Sequence, residues 1–225
     1  MSTGFLGNIV MRKLYHCAGA RSMRSVWLLH ELGLEFELVT LGFSMAALRT
    51  PEYLAISPLG RVPCLVDGDV TLIESGAICQ YLCERYDDGR LYRAVGHAER
   101  NAWLQWLHFA ETVAVHGASL VQQQVFVAPA DRSLVVIKLE SRRLRKAFEV
   151  LEQQLRERDY LLASGFSAID TAVGYSLHLG QQLIGIEGLP ALAAYYARLS
   201  ARPAFQRALD QAPIKAMAEA VPGLA

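Results

Sequence analysis

"SPLGRVPCLVDGDVTLIESGAI", residues 57–78, is the stretch that decides the fold. It reads as a hairpin: the apolar runs Cys64-Leu65-Val66 and Val70-Thr71-Leu72-Ile73 flank Asp67-Gly68-Asp69. Pro63 stands where the first strand begins, although a proline has no N–H to give a sheet. Glu74-Ser75 follows the second strand, just where a helical pattern begins with Ala77, Ile78, Tyr81 and Leu82 inward.

Toward the N-terminus the pattern alternates between strand and helix. "RKLYHC" (12–17) is a short strand. Ser22 is placed to cap a helix through "MRSVWLLHEL", which Gly33 ends in a left-handed turn before Leu34. "EFELVTL" (35–41) alternates as a second strand, and "SMAALRTPEYLAISP" (44–58) is irregular or weakly helical. The order is βαβ, a connection, then ββα. A βαβ unit needs a parallel pair with a crossover helix, and the hairpin adds an antiparallel edge. The result is a mixed four-stranded sheet with helices on both faces. This resembles the thioredoxin-like fold, in which a cis proline commonly starts the third strand, the place Pro63 holds.

After the polar linker "DDGRLYRAVGH" (87–97) the strand grammar stops. Long helix-periodic segments follow, and Ser167 with Asp170 forms a capping box before an apolar run. Two domains are expected: an α/β thioredoxin-like domain over 11–88 and an all-α domain over 97–215.

The composition bounds the function. The 225 residues are 52% hydrophobic and 20% charged, as in a globular chain with an ample core. Lys+Arg and Asp+Glu number 22 each, so no general attraction to nucleic acid or acidic membrane is expected. Charges or amides interrupt every apolar stretch, which argues against a membrane span. In "MSTGFLGNIVM" (1–11) the first cations come after the apolar patch, the wrong order for a secretory signal. Cys17, Cys64, Cys79 and Cys83 show neither CxxC nor metal-ligand spacing, so no metal is expected and a reduced, cytoplasmic protein is the simplest reading.

The motifs in this order resemble the soluble glutathione transferase family over roughly residues 12–212. "RTPEYLAISPLGRVPCLVDGDVTLIESGAICQYL" is similar to its glutathione-site block and "FSAID" to its helical-domain capping motif. "LYHCAGARSMRSVWLLHELGL" runs without gaps against the bacterial beta-class pattern, and the middle block is equally similar to phi and theta types. The resemblance implies a site for glutathione. Val62, before Pro63, presents its backbone to the cysteinyl unit, a form of strand addition. Ser75 and the following helix N-terminus take the γ-glutamyl carboxylate, and Glu74 the ammonium. As a purely structural pair, Ser75 is an N-cap and Glu74 complements the helix dipole. Arg49 and Arg61 stand where phi-type members carry groups near the glycine carboxylate.

The thiol is where the chain departs from its relatives. The usual donor lies within "GARSM", but Arg21 occupies the catalytic cysteine position of the beta pattern and Ala20 the catalytic serine position of the theta and delta patterns. Ser22 is left as a hydroxyl donor or a plain cap, and Arg21 as a charge that stabilises a thiolate or faces solvent. Tyr15 lies within a strand and packs in the core. Cys17 offers a glutathione mixed disulfide instead. The electrophile is expected between the halves, over the first long helix, near Phe109, Thr112 and His116, with Trp106 and Glu111 on the same helix. The resemblance implies a homodimer and a transferase acting on a small hydrophobic electrophile. The rivals are a non-catalytic glutathione-binding protein on the same fold and a thiol reductase working through Cys17.

Overall fold

A computed structural model of the chain describes residues 12–211. The N-terminal peptide 1–11 and the expected domain limits at 11 and 215 lie outside the described residues. The first half contains β1 (Arg12–His16), α1 (Met23–Glu31), β2 (Phe36–Thr40), α2 (Met45–Leu48), α3 (Pro51–Ile56), β3 (Cys64–Asp67), β4 (Val70–Ile73) and α4 (Ser75–Tyr86). The sheet order is β2-β1-β3-β4, with β1 parallel to β2 and antiparallel to β3, and β3 antiparallel to β4.

Strand alternation sorts the side chains of β1. Leu14 and His16 are buried, with His16 against Ser22 before α1, while Tyr15 turns the other way and packs 5.4 Å from Tyr53 of α3. Helices therefore cover both faces of the sheet, and Tyr15 is a packing residue. Gly33 closes α1 with φ 67°, and the Leu34 N–H returns to the Leu29 carbonyl at 3.0 Å. The stretch 44–58 is more regular than expected, because Ser44 and Thr50 cap α2 and α3 through their side chains.

The second half is helical: α5 (Arg100–Val121), extended by a π-helical turn over Gln122–Phe126, then α6 (Leu134–Leu155), α7 (Ala168–Ile184), α8 (Pro190–Ser200) and α9 (Pro203–Gln211). The Ser167–Asp170 capping box forms: Asp170 accepts from the Ser167 N–H at 2.7 Å and from the Tyr195 hydroxyl at 2.8 Å. One apolar core runs through both halves, from Leu14 and Trp27 to Trp103, Phe148, Tyr195 and Phe205. Gly174 of α7 makes the junction close, since a Cβ there would stand 2.8 Å from the Trp27 ring of α1. Among the described residues no helix is long and apolar enough to cross a membrane.

Candidate functional site

The hairpin of 57–78 carries most of the residues expected to hold glutathione. The Val62–Pro63 bond is cis. Among the described residues, Val62 takes part in no backbone–backbone hydrogen bond, since the ladder to β1 begins only at Cys64. A half-buried strand end with free donor and acceptor can receive an extended peptide. Gly60 (φ 58°) turns the chain just before it, and a Cβ there would stand 2.5 Å from the Leu48 carbonyl. That turn sets exposed Arg49 against Gly60, the neighbour of exposed Arg61, for the same virtual Cβ lies 3.5 Å from Arg49 Cγ. Tyr53 and Ser57 hold the Arg61 carbonyl through hydroxyls at 2.7 and 3.0 Å.

The other end of the wall is the start of α4. Glu74, not Ser75, occupies the N-cap, and its carbonyl accepts from Ile78 N–H at 2.9 Å. Ser75 is the first helical residue, nearly buried, beside the unpaired N–H groups of the first turn. Ala77 faces outward, against expectation, while Ile78, Cys79, Leu82 and Cys83 turn inward. Glu74 is the one non-glycine residue with positive φ among those described, at 75°. Holding an acid there costs about 1–3 kcal/mol, and such strain collects at ligand sites. The exposed Glu74 carboxylate stands next to a helix N-terminus, which suits a ligand carrying an ammonium beside a carboxylate.

The loop before α1 carries the residues expected to act on the thiol. Ser22 is fully buried and does not cap α1: its backbone is already helical (φ −58°, ψ −20°) and its hydroxyl makes no cap bond. Its Oγ lies 2.8 Å from His16 Nδ1 and accepts from Cys17 N–H at 3.4 Å. The Ser22 hydroxyl is thus turned into the core, toward His16. Burial lowers the His16 pKa to about 4, leaving a neutral ring beneath the loop. Cys17 is equally buried, and burial pushes its thiol up to about 12. Burial there works against the thiolate that a thiol reductase would need. Arg21 keeps a partly exposed guanidinium and pairs with Glu111 at 3.0 Å.

Sequence reasoning missed Arg24. This α1 residue is 3% exposed, and its guanidinium donates to Ser75 Oγ at 3.0 Å, Ala110 O at 2.9 Å, Ser176 Oγ at 2.6 Å and Glu111 Oε1. Burial presses its pKa down and Glu111 opposes that. Burial likewise works against the Glu111 charge, but Arg24 and Arg21 hold that carboxyl below its usual range. The available signal was a cation on the buried arc of an apolar helix, which always needs partners. Tyr175 of α7 adds a bond to the Gly19 carbonyl at 3.0 Å, clamping the loop from the helical side.

Two contacts tie one face of α5 and its extension to the first half. Glu111 meets Arg21 and Arg24, and Phe126 stacks on Phe43 of the β2–α2 loop at 5.7 Å. At about 100° per residue, Val115, Ala118 and Gln122 share the stripe between them. Val115 is 53% exposed there. His116 lies about 140° away from Glu111 on the helix wheel. It bonds Glu140 of α6 at 2.7 Å and so bridges two helices. Phe109, about 160° away, packs edge-on to Trp106 at 5.2 Å against the core. Thr112 is exposed at the edge of the stripe.

The comparisons with known proteins identify the family. The glutathione S-transferase N-terminal domain family matches residues 11–84. A probable glutathione S-transferase of Oryza sativa is 34% identical over 195 residues, covering 82% of this chain and 88% of that protein. Glutathione S-transferase F10 of Arabidopsis thaliana is 33% identical over 201 residues, covering 83% and 91%. A glutathione transferase of Phanerochaete chrysosporium, solved in complex with oxidised glutathione, superposes with a TM-score of 0.80 at 28% identity, covering 89% of this chain and 96% of that one. The chain belongs to the glutathione S-transferase family.

Proposed function

We propose that the chain is a glutathione transferase that binds reduced glutathione along the Val62–Ser75 wall and directs its thiolate at a small hydrophobic electrophile. The carrying observation is the α4 N-terminus, where buried Ser75, strained Glu74 and free helix N–H groups converge. The cysteinyl unit pairs with the Val62 backbone, the γ-glutamyl carboxylate lies on Ser75 with its ammonium on Glu74, and the glycine carboxylate meets Arg49 and Arg61. The electrophile lies against the Val115, Ala118 and Gln122 stripe, with Thr112 at its edge and the Phe43–Phe126 pair at its end. The thiol gives its proton to water. The sulfur then bonds the electrophilic carbon while the leaving group departs with its electron pair.

With Ser22 buried and alanine at position 20, Arg21 is the remaining side chain in the loop to stabilise the thiolate. Lowering a thiol pKa by two pH units takes about 2.7 kcal/mol, and a helix terminus gives about 0.3–1 kcal/mol, so a direct donor or a nearby charge must supply the rest. The thiolate absorbance of bound glutathione tests this. A thiolate band at neutral pH that fades in Arg21→Ala supports transfer. No band in the wild type favours the non-catalytic reading, which the displaced donors keep open. A bacterial member near the beta, theta and phi types, working in the cytoplasm, completes the proposal and rests on the ungapped run from Leu14 to Leu34 and the block from Arg49 to Leu82. Homodimer formation is part of it too: Leu134, Val135 and Leu139 at the start of α6 are 78%, 68% and 45% exposed, and sedimentation measures the outcome.

A further inference from the structure

We propose that Arg24 is a positioning residue for the γ-glutamyl carboxylate, acting through the Ser75 hydroxyl. The inference rests on the glutathione reading above and adds a device to it. Arg24 cannot touch a ligand itself, because its guanidinium is 3% exposed and both terminal nitrogens are already engaged. What it controls is a proton. A serine hydroxyl has one hydrogen to give and two lone pairs to receive with. Arg24 Nη1 donates into one lone pair of Ser75 Oγ at 3.0 Å. The Ser75 hydrogen is thereby turned away from Arg24, and among the described residues Ser75 Oγ has no other hydrogen-bond partner. That proton is left for an acceptor at the α4 N-terminus, where the free N–H groups favour an anion. A bond received from a cation also polarises the hydroxyl and strengthens what it donates.

The device is set from the helical half. Ala110 O and Ser176 Oγ hold Nη2 at 2.9 and 2.6 Å, and Glu111 holds Nη1. A residue of α1, fixed by α5 and α7, thus orients a ligand-binding group on α4. Without those partners an arginine would not remain buried at that point.

A double-mutant cycle read by calorimetry with reduced glutathione tests the proposal. Arg24→Lys should weaken glutathione roughly tenfold, the loss of a charge-assisted bond, and Ser75→Ala by a similar factor. The double variant should bind as S75A does, without a second tenfold loss. An analogue with γ-aminobutyrate in place of the γ-glutamyl unit lacks the α-carboxylate and should bind wild type and R24K alike. In turnover, R24K should raise the KM for glutathione and leave kcat unchanged. Equal losses in the Ser75 and S75A backgrounds, or an equal loss with the analogue, make Arg24 a structural residue only and overturn the proposal. Should R24K fail to fold by its thermal melt, Glu111→Gln serves: freeing the guanidinium should weaken glutathione about threefold, an effect that disappears in S75A. A wild type that gives no heat with glutathione overturns the binding reading itself, an outcome distinct from any change in coupling.

Discussion

Two buried groups titrate in opposite senses, and Asp170→Asn separates them. Asp170 is fully buried in the capping box; burial pushes its carboxyl from 3.8 up to about 6, against the pull of Tyr195 and the Ser167 and Leu161 N–H groups. A carboxyl raised on folding gives stability that is complete below its unfolded value and is lost as pH rises through 6. His16 behaves oppositely: burial takes it from 6.5 down to about 4, so its contribution is present above 6.5 and lost as pH falls through 4. At about 1.4 kcal/mol per pH unit, each is worth about 3 kcal/mol across its window. Between pH 4 and 6 the two nearly cancel in the wild type. Removing the Asp170 titration uncovers the His16 slope, so D170N should lose about 3 kcal/mol more than the wild type as pH falls from 6 to 4. Asn lacks one acceptor of the cap, which lowers stability at every pH and leaves the slope untouched. His16→Asn should show the mirror image, gaining relative to wild type toward low pH. Urea melts at half-unit pH steps measure both. Because every other carboxylate is shared, the difference curves isolate the two sites. Difference curves that stay flat from pH 4 to 6.5 would refute the reasoning.

Other perturbations reach the cleft and the domain junction. Gly174→Ala should cost about 1–3 kcal/mol in a thermal melt, since its Cβ meets Leu199 and Trp27 at 2.7 and 2.8 Å; an unchanged melting temperature means the helices part more easily than the packing implies. Gly60→Ala strains a left-handed residue against the Leu48 carbonyl, and should weaken glutathione by shifting Arg49 and Arg61, with unaltered affinity counting against their role. Mass spectrometry after incubation with oxidised glutathione should find no adduct on Cys17 in the folded chain, and an adduct there supports the reductase reading. Ser22→Ala should leave any thiolate band intact while lowering stability through the His16 contact.

Features set by neighbours in the chain were legible in the sequence. The succession of strands and helices, the Pro63 turn, the Gly33 stop and the Ser167–Asp170 box each depend on local runs of residues. Ser22 and Ser75 show the limit. Each stands at a helix start as a candidate cap, yet neither hydroxyl caps its helix; both are buried, and where each points depends on partners 6 and 51 positions away. His116 and Val115 differ by one residue on α5, and only the anchors at Glu111 and Phe126 decide which of them faces the cleft. Arg24 looked like one more cation on a helix, because its four partners come from α4, α5 and α7.

The central claim is that the wall from Val62 to Ser75 holds glutathione. Calorimetry of the whole chain with reduced glutathione tests it most directly. The account predicts one saturable site per chain with a dissociation constant of roughly 1 μM–1 mM, weakened about tenfold by Ser75→Ala and unaffected by Cys17→Ala. Absence of binding at millimolar glutathione, or full affinity in S75A, would contradict it.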